Sequence, residues 1–256
     1  MKIGIIGYGY VGKAMAKFLG GRHDVVVKDV YNGYGDINTC DFAVVCVPTP
    51  MAADGSCDFS IVEKVVSECA LDRLLIKSTV PPGTTKMLAE KYGKKLVFSP
   101  EYIGEGNYPI PFWKYPHPTE MQYHDFCIFG GEPADTSYMV DAFKNSFGPQ
   151  CRFFQLTPTA AEIVKYMENS WLATKIAFCN EFSDISKAFG EDYNMIREAW
   201  LADGRIERSH TVVNNGFGGK CLPKDLSGII EAGHAAGVPL EVLTAVRESN
   251  KKRIGK

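Results

Sequence analysis

The chain has little of what marks the more specialised classes of protein. Its 256 residues carry 28 lysines and arginines against 30 aspartates and glutamates, a net charge of −2 with the signs interspersed. There is therefore no basic stripe to follow a nucleic acid and no polybasic run for a membrane surface. No apolar run is long enough to span a bilayer. The apolar start "MKIGIIGYGYVG" is broken by glycines and lacks a small-residue cleavage site, so it reads as a buried strand rather than a signal peptide. Cysteines stand at 40, 46, 57, 69, 127, 151, 179 and 221, but they form no CxxC pair and keep no ligand spacing with the five scattered histidines. That spacing excludes a zinc site and a disulfide framework. Cys46 in "FAVVCVP" and Cys179 in "KIAFCNE" read as core residues of a strand and a helix. A reduced, cytoplasmic protein that acts on small molecules without a metal is expected.

What is present is rhythm. The runs "KIGII", "DVVVK", "FAVVCV", "RLLIKS", "KLVF", "FCIF" and "RFFQL" alternate with helical patterns to about residue 156. This predicts an α/β fold, with a Rossmann-type, doubly wound parallel sheet over residues 1–156. From Thr159 to Phe189 a stretch without proline or glycine carries Ile163, Met167, Trp171, Thr174, Phe178 and Phe182 at helical spacing. Shorter helical patterns follow around 192–202, 224–235 and 239–253, so residues 157–256 are expected to form a smaller all-helical domain with one long helix. Both units are large enough to bury a core. Two stretches fit neither pattern: residues 107–124, with four prolines and several aromatics, and residues 203–222, which deliver "NNGFGGKCLPKD".

Gly7, Gly9 and Gly12 form GxGxxG. Alone, such spacing also fits a structural turn. Here a strand precedes it, "VGKAMAKFL" follows as a helix, and the second strand ends in Asp29. In that setting the glycines allow a tight turn and close backbone approach to a pyrophosphate at a helix N-terminus. Asp29 would accept hydrogen bonds from the adenosine ribose hydroxyls and repel a 2′-phosphate, so NAD is expected in preference to NADP. Its alternative role is to cap the loop that follows.

Ligands of such sheets gather beyond the carboxyl ends of the strands, and "CVPTP", "STVPPGTT" and "FSPEYIGEG" fall there. Their prolines also read as ordinary loop punctuation. Thr79, Glu101 and Glu105 stand beside them, and Glu101, directly after Pro100, is expected near the cofactor edge, where partial desolvation would suit a carboxylate to act as a base. On the long helix Lys165 and Asn169 are four residues apart and share a face. An ammonium with a carboxamide suits an oxygen that gains negative charge, although the pair taken alone reads first as a solvated strip. Pro223 suits the first position of a helix, which sets Cys221 just before it and Asp225 in its first turn. A thiol so placed, beside Lys220 and Lys224, has its thiolate favoured by the dipole and the charges, and Gly216, Gly218 and Gly219 leave its approach uncluttered. A thiolate next to NAD points to capture of an aldehyde as a thiohemiacetal, oxidation to a thioester, and hydrolysis.

The motifs "GYGYVG", "CVPTP", "STVPPGTT", "FSPEYIGEG", "AAEIVKYMENSWLATKIAFCNE" and "GFGGKCLPKD" stand in this order over essentially the whole chain. In them the chain resembles the nucleotide-sugar 6-dehydrogenases, the UDP-glucose and GDP-mannose dehydrogenase group. The resemblance implies a two-step, four-electron oxidation of a sugar primary alcohol to a carboxylate, with two NAD per turnover. On the matching positions Cys221 is the nucleophile, Lys165 and Asn169 stabilise the oxyanion, Asp225 with Thr79 positions a water that takes the alcohol proton, and Glu101 assists thioester hydrolysis. Gly7, Gly9, Tyr10, Val11, Gly12, Asp29, Val47, Pro48, Thr49, Thr79 and Glu105 are expected around the cofactor. Glu101, Tyr102, Ile103, Lys165, Asn169, Arg205, Gly218 and Cys221 are expected around the nucleotide sugar. Arg205, in "DGRIE", matches an arginine that family dimers reach across to the neighbouring subunit's substrate, so a homodimer is implied.

Family members continue past the central helices into a second Rossmann-like unit that holds much of the nucleotide, whereas this sequence stops at Lys256. The proline-rich loop also replaces a stretch that ends in Pro-Asp-Arg. The expectation is a short form whose nucleotide site is completed by a dimer partner, by that loop or by a separate polypeptide. Two other readings stay open. One is an NAD-dependent dehydrogenase of a smaller hydroxy acid or sugar phosphate, which shares the plan and a helix Lys-Asn pair but has no use for a thiol. The other is a non-catalytic NAD-binding subunit.

Overall fold

The computed structural model describes residues 1–31, 33–103 and 121–255; Glu105 and most of the proline-rich stretch lie outside them. The chain forms two compact units, one of Met1–Pro50 with Asp58–Lys165, the other of Met51–Cys57 with Tyr166–Lys256. The division thus falls inside the long helix rather than before it.

The strands of the first unit are β1 (Lys2–Ile6), β2 (Asp24–Asp29), β3 (Gly33–Tyr34), β4 (Phe42–Val45), β5 (Arg73–Ile76), β6 (Lys95–Phe98), β7 (Phe126–Gly130) and β8 (Arg152–Leu156). They form one sheet in the order β3-β2-β1-β4-β5-β6-β7-β8. Each apolar run read from the sequence is a strand. The pairings of β1 with β2 and β4, of β5 with β4 and β6, and of β7 with β8 are parallel. Two pairings depart from a purely parallel sheet. β3 runs antiparallel to β2, which a short connection permits. β7 meets β6 antiparallel, with Phe98 opposite Gly130.

The strands read as unbroken apolar runs because both faces of the sheet are covered. Phe42 and Val44 of β4 join Ile3, Ile5, Leu75 and Val97 in a core closed by α1 (Tyr10–Gly20) and α4 (Pro133–Phe143) through Met15, Leu19, Met139 and Phe143. Ala43 and Val45 point the other way. They join Leu74, Ile76 and Phe98 under α2 (Ser60–Glu68), α3 (Thr84–Tyr92) and the start of α5 (Pro158–Ala188), which supply Val62, Val66, Leu88 and Ala161.

α3 begins at Gly83, with φ +92° and no side-chain cap of its own. The cap comes from α5. Glu162, wholly buried, accepts hydrogen bonds from the Gly83 N–H at 2.6 Å and the Thr85 N–H at 2.8 Å. Burial pushes its carboxyl up from 4.5 to about 7, against the opposing pull of those Thr85 and Gly83 contacts. The folded state therefore binds this proton more tightly than the unfolded state does. The stability it brings is complete below pH 4.5 and is lost as pH rises through about 7. The shift corresponds to about 3 kcal/mol as an order of magnitude. Urea unfolding of Glu162→Gln over this range is expected to show a flatter pH profile than the wild type, and parallel profiles would contradict the assignment.

The second unit holds the rest of α5 with α6 (Tyr193–Trp200), α7 (Leu222–Ala235) and α8 (Glu241–Ile254); Ala173 and Ala177 of α5, Leu226 and Ile230 of α7 and Val246 of α8 form its core with Phe217. The early turn Met51–Cys57 joins them at Gly55, where a Cβ would lie 2.7 Å from Ser227 Oγ. Met167, Trp171, Phe178, Phe182 and Phe189 leave an exposed apolar stripe along α5 and just past its end. Among the described residues, no helix is long and apolar enough to cross a membrane.

Candidate active site

In the first unit the candidate residues collect at the carboxyl ends of β1, β2, β4, β5 and β6. Gly7 has φ +90°, and a Cβ there would lie 2.6 Å from the Cys46 carbonyl oxygen. A Cβ on Gly12 would lie 2.0 Å from the Gly7 oxygen, so α1 can sit this close to the turn only without a side chain. Gly9, the residue before α1, faces open space, and the helix start has no side-chain cap. A helix start without a side-chain cap, beside open space at Gly9, fits a pyrophosphate. Tyr10, exposed, and Val11, half-buried, open the helix.

Asp29 closes β2 and ties the glycine turn to it. Its Oδ2 accepts from Tyr8 N at 2.8 Å and its Oδ1 from Tyr31 N at 2.9 Å. It therefore does cap the following loop. A carboxylate here disfavours a 2′-phosphate. By calorimetry NAD is expected to bind at least about tenfold tighter than NADP, and Asp29→Asn to narrow that gap; equal wild-type affinities would remove the role.

After β4 come half-buried Val47, exposed Pro48 and buried Thr49. Ser78 Oγ donates to the Val47 carbonyl at 2.7 Å, joining the ends of β4 and β5 beside half-buried Thr79. After β6, Glu101 folds back so that its Oε2 accepts from Ile103 N at 2.8 Å. Lys165 meets it there: Nζ donates to the Glu101 carbonyl at 2.6 Å, lies 3.4 Å from Oε1, and sits 5.3 Å from the centre of the Tyr102 ring. The structure thus gathers Glu101, Tyr102, Ile103 and Lys165. It adds Lys77, which sequence reasoning passed over as part of the strand "RLLIKS". Buried Lys77 donates to the Pro100 carbonyl at 2.8 Å and to Ser99 Oγ at 3.2 Å.

The second unit gathers Asn169, Asp225 and Lys224. Asn169 Nδ2 donates to Asp225 Oδ2 at 2.5 Å, and Lys224 Nζ donates to the other oxygen of this buried carboxylate. Lys224 is thus committed to Asp225, whereas the sequence suggested it only as a neighbour of the thiol. Cys221 is the residue before α7, with Leu222 in the first helical position and Pro223 in the second. None of the eight cysteines is in a disulfide, and Cys221 is the exposed one. The loop before it is held by Asn250, a second residue that sequence reasoning missed. Its side chain accepts from Phe217 N at 2.7 Å and donates to the Phe217 carbonyl at 2.9 Å. Gly216 has φ +84° and a Cβ there would lie 2.5 Å from Asn250 Oδ1, while Gly218 faces open space. Arg205 is exposed and paired with Asp203. It lines a groove of about 630 Å³ together with Trp171, Phe178 and Trp200. No group of three or more metal-ligating side chains occurs among the described residues.

A glycine turn on the strand where the sheet order reverses, with an acid closing the next strand, defines a dinucleotide-binding domain of the Rossmann type. The chain belongs to the UDP-glucose/GDP-mannose dehydrogenase family: the family's NAD binding domain matches residues 31–114 and its central domain residues 159–252. NAD is the cofactor of that domain. The UDP-glucose 6-dehydrogenase TuaD of Bacillus subtilis (strain 168) is 28% identical over 230 residues, 85% of this chain and 48% of its own length. The UDP-glucose 6-dehydrogenase of Rickettsia typhi is 29% identical over 231 residues, 86% of this chain and 51% of its own. A solved UDP-glucose dehydrogenase from the hyperthermophilic archaeon Pyrobaculum islandicum superimposes with a TM-score of 0.84 at 28% identity, over 98% of this chain and 68% of that one. The chain spans about half the length of these two curated relatives.

Proposed function

We propose that the protein oxidises the primary alcohol of a nucleotide sugar, of the UDP-glucose type, to the uronic acid. The observation that carries this reading is Cys221, an exposed thiol at the uncapped start of α7 in a chain of this family. When bound, NAD supplies the hydride acceptor for both oxidations. Asp225, with Thr79, holds the water that takes the alcohol proton. Lys165 and Asn169 stabilise the oxygen as it gains charge. The Cys221 sulfur adds to the aldehyde carbon, and loss of a second hydride leaves a thioester. Water, assisted by Glu101, then adds to the thioester, the C–S bond breaks, and the carboxylate leaves with the thiol restored.

An exposed thiol among cysteines that form no disulfide suits the cytoplasm. The exposed stripe of Trp171, Phe178 and Phe182 supports a homodimer built on α5, with Arg205 reaching the neighbouring subunit's substrate. Light scattering at micromolar concentration is expected to give twice the chain mass; a monomer would remove the cross-subunit role. Completion of the nucleotide site by the partner or by another polypeptide belongs to the same reading.

The function is tested by incubating the protein and NAD with a panel of UDP- and GDP-sugars and following NADH. Turnover of a nucleotide sugar supports it. Turnover confined to small hydroxy acids or sugar phosphates, or none with any of them, would replace it.

A further inference from the structure

Lys77 is a buried cation that the proposed chemistry leaves without a task. It directly follows β5 and precedes Ser78 and Thr79, yet its side chain crosses to the residues just after β6. There its ammonium, 4% exposed with the rest of the residue, takes the Pro100 carbonyl at 2.8 Å and Ser99 Oγ at 3.2 Å. Burial lowers its pKa, opposed by Cys127, Glu101 and Cys46 and reinforced by the like charge of Lys165. Cys46 and Cys127 give it no counter-charge, because burial pushes those thiols up to about 12 and about 11. A stripped ammonium without a full ion pair is a poor way to stabilise a fold, and an apolar side chain of similar reach generally does better. Its position explains it more fully than stability does.

The next carbonyl along the chain, that of Glu101, is held by a second ammonium, Lys165, at 2.6 Å. Two consecutive carbonyls are therefore gripped by lysines, one just after β5 and one on α5. In the proposed reaction Lys165 has a second duty, at the oxygen of the substrate. We infer that Lys77 is a positioning residue, which keeps Pro100 and Glu101 in place for thioester hydrolysis while Lys165 serves the oxyanion. This rests on the function proposed above.

The inference predicts which step fails. Lys77→Met keeps the aliphatic stem and loses the charge; Lys77→Gln keeps a donor for the Pro100 carbonyl. With UDP-glucose and NAD in rapid mixing, Lys77→Met is expected to release two NADH per active site at near the wild-type rate and then to slow by about tenfold or more. Intact-protein mass spectrometry should show the acyl group accumulating on the protein, and its loss when Cys221→Ala is added. Lys77→Gln should fall between Lys77→Met and the wild type. A steady rate unchanged in Lys77→Met would overturn the inference. So would burst and steady rate falling together in both variants with no adduct, since Lys77 would then only support the fold. The wild-type arm reports separately on the function: no NADH from it with any sugar of the UDP- and GDP-sugar panel would remove that reading, and this inference with it.

Discussion

Cys221→Ala is expected to abolish acid formation while leaving slow, reversible formation of the aldehyde. The two oxidations ask for different things. Alcohol to aldehyde needs a hydride acceptor, a route for the proton and stabilisation of the oxygen, none of which involves sulfur. Aldehyde to thioester cannot proceed without a nucleophile that adds to the carbonyl carbon and later leaves. Acid production should fall by about a thousandfold or more, as read by mass spectrometry of the products under saturating NAD. The thiol is exposed and lies outside the core of its unit, so stability should change little. Substitution of Cys179, which is buried on α5, should do the reverse and cost stability alone.

Lys165→Ala should depress both oxidations together. On the proposed mechanism its ammonium serves the same oxygen in each, and loss of one such donor typically lowers kcat by about 10²–10³. A second penalty follows from the ground state. The Glu101 side chain is only 14% exposed and has Lys165 Nζ at 3.4 Å, so truncation strips a nearly buried carboxylate of a close ammonium. The melting temperature should therefore fall as well. Measuring kcat for the alcohol and for the aldehyde separately checks the claim; a loss confined to one of the two oxidations would assign Lys165 elsewhere.

Much of this was legible in the sequence where function is carried by contiguous residues. β1, β4, β5 and β6 are short apolar runs because both faces of the sheet are covered, and the glycine turn shows itself by spacing. The motif around Cys221 is local too. What stayed hidden is long-range. Glu162 caps a helix that starts some eighty positions earlier, Lys77 reaches a carbonyl just past the neighbouring strand, and Asn250 of α8 clamps a loop 33 positions earlier. Nothing in the neighbourhood of any of the three marks its partner. The antiparallel β3 was missed because two residues carry no periodicity, and the contact of Lys224 with Asp225 did not show in the sequence.

The central claim is that one thiol carries an alcohol through two oxidations on one protein. The most direct measurement is the amount of NADH formed per nucleotide sugar consumed, with the sugar limiting and NAD in excess. The account predicts two. A value of one, with the aldehyde or ketone as the final product, would contradict it, because Cys221 would then have no part in the chemistry.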